Sequence, residues 1–200
     1  YYSLAWGIVS TLNKIARFGM LRGVVRFVVS ERAQAEGQGE RAVGTALLIV
    51  GICSVAISAG VYFSADAIAS FYDKPIASAL QIMAISAPFM AVCWVFVSAI
   101  RALRIVLYDV YVVSLAGPLI LLVGGLGVGW LDLGLSGVAW VQLAMAVCIS
   151  LLAAYFFGRF FSLRACFQHL RQPVRLREMA HFSLPAVSYT HLRAHETLRY

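Results

Sequence analysis

The chain has 200 residues, of which 62 % are hydrophobic and only 12 % charged, and its formal net charge is +7. Its mean hydropathy is +0.84. Soluble globular chains carry about 25 % charged residues, so this composition excludes a soluble domain and indicates an integral membrane protein. The basic residues flank apolar segments without any RNA- or DNA-binding motif, and nucleic acid is therefore not an expected partner.

The first predicted element is an apolar helix over residues 3–29 that carries four cations. At about 100° per residue, the polar residues that share the side of Lys14 are Ser3, Ser10, Thr11, Asn13 and Arg17. A charge at the centre of a bilayer costs at least about 2.5 kcal/mol, and such residues usually face a bundle interior or a wet cavity. A basic stripe in that position indicates an anionic ligand.

Four further segments contain no Asp, Glu, Lys or Arg: residues 42–65, 75–100, 110–131 and 133–158. Each exceeds the roughly 20 residues that a helix needs to cross the hydrocarbon core. Backbone in lipid must satisfy its own hydrogen bonds, and the segments lack the alternation of barrel strands. We predict an all-α, polytopic membrane helix bundle with about five complete transmembrane helices.

The basic residues predict the orientation of this bundle. Five crossings place every arginine between residues 17 and 177 on one side, whereas the other side holds only Lys74. By the positive-inside rule the arginine-rich side is cytoplasmic. The short turns at residues 71–75 and 131–134 would then face outward.

Prolines interrupt two of the predicted spans, at Pro88 and at the pair Gly117 and Pro118. Because proline removes a donor and clashes with the preceding turn, we expect kinked or locally opened helices there. Such breaks occur in transporters that bend during alternating access, but also as static packing features.

The last part of the chain changes character after Gly158. Residues 159–186 predict a basic amphipathic connector, followed by the start of a further span. Its apolar side chains either lie on the membrane surface or belong to a plain connector; they are Phe160, Phe161, Leu163, Phe167 and Leu170. Residues 187–200 resemble translated adapter read-through, so we interpret them as a non-native tail and do not expect a metal site at His191 and His195.

Enzyme chemistry has no support in the sequence. There is no nucleophile-elbow motif, no dinucleotide fingerprint and no pair of carboxylates at catalytic spacing. We therefore expect neither an enzyme nor a cofactor or metal. Asp109, close to Arg101 and Arg104 in sequence, is expected to be a local charge partner.

Several segments together resemble a known family. ARFGMLRGVVRFVVSERA, residues 16–33, resembles the second-helix signature of bacterial polysaccharide flippases. FYDKP at 71–75, AISAPFMAVCWVFVSAIRALR at 84–104, GLSGVAW at 134–140 and EMAHFSLP at 178–185 agree with that family in order. The resemblance covers roughly residues 1–186 and is to the O-antigen or capsule repeat-unit flippases of the multidrug/oligosaccharidyl-lipid/polysaccharide exporter superfamily.

This resemblance implies a larger transporter with two helix bundles around a central cavity. Residues 1–186 would be a partial N-terminal bundle, comprising helices two to six and the start of helix seven. The implied function is to flip undecaprenyl-pyrophosphate-linked oligosaccharide across the bacterial inner membrane for polysaccharide biosynthesis. The implied partners are that lipid-linked oligosaccharide and the membrane lipids, with a coupling ion in addition if transport is ion-coupled.

The resemblance and the basic stripe together predict the substrate-binding residues. We expect Lys14 and Arg17, with Asn13 on the same face, to contact the pyrophosphate or an acidic sugar inside the cavity. Arg22 and Arg26 would attract the headgroup at the cytoplasmic entrance, or would only snorkel and set the topology.

Two other functions are weighed against the flippase. A drug or metabolite antiporter of the same superfamily would take cationic substrates, which Lys14 and Arg17 would repel. A polytopic membrane enzyme acting on the lipid-linked sugar would need a catalytic carboxylate or His on a sizeable extramembrane loop, and the outward turns are only a few residues long.

Overall fold

The computed structural model describes residues 2–16, 20–33, 39–105 and 107–170. All regular structure in these ranges is helical, which confirms the all-α prediction. The predicted start of a further span near residue 186 and the tail at 187–200 lie outside the described residues.

Seven helices make up the described part of the chain. In order they are α1 (Tyr2–Ala16), α2 (Met20–Ala33), α3 (Glu40–Phe71), α4 (Ala77–Ala102), α5 (Leu107–Trp130), α6 (Gly134–Phe157) and α7 (Leu163–Leu170). Helices α3 to α6 are long and apolar enough to cross a membrane. The chain is therefore a multi-pass membrane protein with a helical-bundle fold.

The first predicted span differs from the other four. Over residues 3–29 the structure describes two helices, α1 with 15 residues and α2 with 14 residues, and residues 17–19 between them lie outside the description. Neither helix alone reaches the roughly 20 residues of a transmembrane helix. The described residues thus contain four of the five predicted spans as continuous helices.

Helix α3 extends beyond its predicted end. The apolar run stops at Asp66, but the helix continues to Phe71. A single exposed carboxylate does not end a helix, whereas the turn that follows does: Asp73 adopts a positive φ of 50°, and Pro75 comes two residues later. The outward turn predicted at residues 71–75 is confirmed as a turn.

Helix α5 is locally opened, as predicted at Gly117 and Pro118. Its first residues, Leu107–Asp109, are α-helical, Val110–Ala116 form a π-helix, and Gly117–Trp130 are again α-helical. Proline at 118 cannot donate to the carbonyl four residues earlier and its ring crowds that carbonyl. The wider π-helix directly before it relieves that clash. Pro88, in contrast, lies inside the continuous helix α4.

Helix α4 occupies the centre of the bundle. It packs against α1, α2, α3 and α6, and 61 % of an apolar 18-residue stretch in it is buried, against 17 % in α5. The outer face of α5 is a row of exposed apolar side chains that includes Leu115, Leu119, Leu122, Val123 and Leu126. In a membrane protein such a face contacts lipid.

The connector after α6 folds back onto the bundle. Phe161 is 3 % exposed and stacks on Phe157 with ring centroids 4.6 Å apart. The backbone N–H of Ser162 donates to Oε1 of Glu40 at the start of α3, at 2.6 Å. Of the two alternatives for Phe161, the structure favours the plain connector, because its ring packs on Phe157 in the core. The side chains of Phe167 and Leu170 lie outside the description.

Candidate functional site

A cavity of about 180 Å³ lies between α1 and α4. Four residues of α1 line it, namely Trp6, Ser10, Asn13 and Lys14, and two residues of α4 complete it, Met90 and Trp94. The α1 residues are spaced four, three and one apart, which puts them on one face of that helix. Of the polar stripe expected around Lys14, Ser10, Asn13 and Lys14 itself form part of this wall, whereas Ser3 and Thr11 do not line the cavity.

The lining combines one cation, two neutral polar groups and two indole rings. Lys14 supplies three N–H donors and Asn13 an amide. The hydroxyl of Ser10 donates to the backbone oxygen of Gly7 at 3.1 Å, which leaves its own oxygen able to accept. Within the described ranges Lys14 forms no ion pair with a carboxylate. This combination suits a small anionic group attached to an apolar chain.

The size of the cavity limits what it can hold. At about 30 Å³ per water molecule in the liquid, 180 Å³ corresponds to about six waters. Pockets for drug-sized ligands are usually about 300 to 1,000 Å³. The cavity therefore fits a charged headgroup better than a complete drug or an oligosaccharide.

The structure brings together only some of the predicted site residues. Lys14 and Asn13 both line the cavity. Arg17 lies outside the described residues, and Arg22 is described only by its place in the backbone of α2. Arg26 is exposed on α2 and does not line the cavity, so its predicted entrance role stays a prediction.

Three lining residues were not predicted as part of the site. Trp6 lies in the apolar first half of α1, where its neighbours in sequence do not mark it as a cavity residue, but it forms part of the cavity wall. Met90 and Trp94 lie in an apolar run of α4 where nothing in the sequence separates a cavity wall from core. Their spacing of four residues indicates only that they share a helix face.

An ion pair at the end of α4 lies close to Trp94. Nη2 of Arg101 donates to Oδ2 of Asp109 at 2.6 Å, joining the end of α4 to the start of α5. The guanidinium carbon of Arg101 also lies 5.8 Å from the centroid of the Trp94 ring. The predicted local pairing of Asp109 is confirmed, and its cation contacts a residue of the cavity wall.

A hydrogen bond joins α1 to α6, one helical turn before Trp6 in the sequence. The hydroxyl of Tyr2 donates to Oε1 of Gln142 at 3.2 Å. Gln142 is completely buried, and its Nε2 has no hydrogen-bond partner among the described residues. This pair was not predicted from the sequence, because a lone Gln in an apolar span indicates neither its depth in the bundle nor its hydrogen-bond partner.

Among the described groups outside the spans, the one with a strongly shifted pKa, the Cys166 thiol, has no catalytic character. Burial, together with the nearby Glu40 carboxylate, raises the pKa of the Cys166 thiol in α7 to about 12. A thiol with that pKa is protonated at neutral pH and is a poor nucleophile. In the described part of the chain, no three His, Cys, Asp or Glu residues are grouped to hold a metal ion.

Comparison of the chain with protein-family models, with curated proteins and with solved structures found no match. Function is therefore inferred from the residues of the chain and the chemistry of the cavity.

Proposed function

We propose that the protein belongs to a transporter that flips undecaprenyl-pyrophosphate-linked oligosaccharide across the bacterial inner membrane. The substrate headgroup carries negative charge that must leave water during the crossing. A cation inside a membrane bundle compensates that charge through charge-assisted hydrogen bonds. The protein would supply part of the path along which the headgroup moves.

The observation that carries this proposal is the position of Lys14. Lys14 lies in the last turn of α1 with an exposed side chain, so its ammonium group is accessible to a ligand. Here Lys14 shares a cavity with Asn13, and no described carboxylate neutralises it. The cavity is consequently positive, and a positive cavity attracts anions.

The other lining residues suit the rest of the substrate. Indole rings such as those of Trp6 and Trp94 offer apolar surface together with an N–H donor. The first isoprene units of a polyprenyl chain can pack on that surface while the phosphates contact Lys14 and Asn13. The sugars, which exceed the 180 Å³ available, would remain outside this cavity.

The two alternatives fit less well. A cationic drug would meet Lys14 without a compensating carboxylate, and the cavity is smaller than a drug-sized pocket. A membrane enzyme would need a nucleophile or an acid–base pair near the cavity, whereas the lining side chains that the structure describes include no carboxylate, His or Cys.

Complementation tests the proposal directly. The complete gene is expressed in a strain that lacks its repeat-unit flippase, and surface polysaccharide is measured at matched protein levels. We expect Lys14→Ala to lower polysaccharide about tenfold or more, because one charge-assisted contact is worth about that factor. Lys14→Arg should retain most of the activity.

Lys74→Ala is the matched control. Lys74 is an exposed lysine in the turn between α3 and α4 and does not line the cavity, so its removal should leave polysaccharide unchanged. Wild-type polysaccharide levels with Lys14→Ala and Arg17→Ala combined would contradict the proposal.

A further inference from the structure

Arg101 reaches back toward the cavity from the arginine-rich end of α4. It follows Trp94 by seven residues, which places both on one face of the helix, about 10 Å apart along its axis. Its guanidinium carbon nevertheless lies 5.8 Å from the Trp94 ring. The side chain therefore extends toward the cavity wall, as helical side chains tilt toward the N-terminus.

Resting on the proposed function, we propose that Arg101 is a second cation for the pyrophosphate headgroup and that Asp109 competes with the headgroup for it. In the absence of substrate Arg101 pairs with Asp109. When a headgroup enters from the cytoplasmic side, the guanidinium turns toward it, and the headgroup meets Arg101 before it reaches Lys14. Return of Arg101 to Asp109 then favours release.

The ion pair has the properties that Arg101 needs to leave Asp109 and bind the headgroup. Arginine carries five N–H donors, and the described contact with Asp109 uses Nη2 alone. The Arg101 side chain is 40 % exposed, so it has room to move. Oδ1 of Asp109 is buried without a hydrogen-bond partner among the described residues, so the carboxylate does not hold the guanidinium in a bidentate clamp.

If the ion pair were purely structural, the Asp109→Asn variant would change headgroup affinity in the opposite direction. If Asp109 only fixes the end of α4 to α5, Asp109→Asn should loosen the site and weaken headgroup binding. If Asp109 competes for Arg101, Asp109→Asn should strengthen binding, because the cation becomes available and a nearby negative charge is removed. The sign of the change in affinity separates the two roles.

Binding is measured with the complete gene product in nanodiscs of zwitterionic lipid. The probe is a short-chain polyprenyl pyrophosphate, followed by the change in tryptophan fluorescence that contact with Trp6 and Trp94 would cause. The uncharged polyprenol of the same length serves as the reference ligand. Arg159→Gln is the matched control, since Arg159 also lies over an aromatic ring, that of Tyr155 at 4.9 Å, but Tyr155, unlike Trp94, does not line the cavity.

We expect Asp109→Asn to lower the Kd for the pyrophosphate about tenfold and Arg101→Gln to raise it about tenfold, as for one charge-assisted contact. Asp109→Glu should restore the wild-type Kd. In the double variant Arg101→Gln/Asp109→Asn, loss of Asp109 should no longer tighten binding, because its effect acts through Arg101. Asp109→Asn should also slow transport, since release is impaired.

Weaker or unchanged binding in Asp109→Asn would overturn this proposal, and Asp109→Ala repeats the test without an amide at that position. The proposed function can fail separately. If the wild-type protein binds the pyrophosphate no better than the polyprenol, the flippase proposal is overturned. The proposed competition between Asp109 and the headgroup for Arg101 is then overturned as well. If Lys14→Ala weakens binding but Asp109→Asn does not strengthen it, only the proposed competition for Arg101 is overturned.

Discussion

The hydrogen bond between half-buried Tyr2 and fully buried Gln142 allows a sharp prediction about stability. Tyr2→Phe removes the 3.2 Å hydrogen bond and leaves both polar atoms of the Gln142 amide unpaired. Hydrogen bonds between membrane helices contribute about 0.6 kcal/mol on average and up to about 1.7 kcal/mol. We therefore expect Tyr2→Phe to lower the free energy of unfolding by about 0.6 to 1.7 kcal/mol.

Gln142→Met should behave differently, although it removes the same hydrogen bond. It also removes the buried Nε2, and an unpaired buried polar group costs about 1 to 3 kcal/mol. We expect this near-isosteric variant to be as stable as the wild type, or up to about 1 kcal/mol more stable. The assay is reversible SDS unfolding in mixed micelles, with the double variant completing a cycle. A larger loss of stability in Gln142→Met than in Tyr2→Phe would refute the reasoning.

Other parts of the bundle give three further predictions. In the native protein Cys166 should resist iodoacetamide at pH 8, since a pKa of about 12 leaves about one thiol in 10,000 ionised; rapid labelling without unfolding would contradict this. Ser162→Ala should lower the stability of α7 by about 1 kcal/mol, because the Ser162 hydroxyl accepts a hydrogen bond from the N–H of Ala165 at the start of that helix. Faster amide hydrogen exchange confined to α7 would report this loss. Gly124→Ala should lower the melting temperature, because a Cβ at 124 would collide with Val141 of α6 and overpacking costs about 1 to 3 kcal/mol of stability. Gly125→Ala is the control, since a Cβ at 125 would face open space, and it should leave the melting temperature unchanged.

Hydropathy and charge predicted the class of fold and most of its spans. Residues 42–65, 75–100, 110–131 and 133–158 each fall within or close to one long helix, because lipid allows few alternatives to a continuous helix. The end of α3 was missed by six residues, since the hydropathy of a segment marks the membrane boundary and not the end of the helix. A single charge at Asp66 is tolerated there in an exposed position.

The candidate site was predictable on one wall only. Helical spacing put Asn13 and Lys14 on one face of α1, and both line the cavity. The opposite wall depends on which helix packs against that face, and no local pattern in α4 marks Met90 or Trp94 as its residues. The contact of Arg101 with Trp94 likewise depends on the conformation of the arginine side chain, which extends along α4. The sequence does not indicate that conformation.

Transport of a pyrophosphate-linked lipid by the purified protein tests the central claim most directly. The complete gene product is reconstituted in vesicles with a fluorescent polyprenyl-pyrophosphate oligosaccharide, and the rate at which the label becomes inaccessible to an external quencher is measured. The proposed function predicts rapid movement with the wild type and with Lys74→Ala, and a rate close to that of protein-free vesicles with Lys14→Ala. Equal rates for wild type and Lys14→Ala, or equal transport of an uncharged polyprenol-linked sugar, would contradict it.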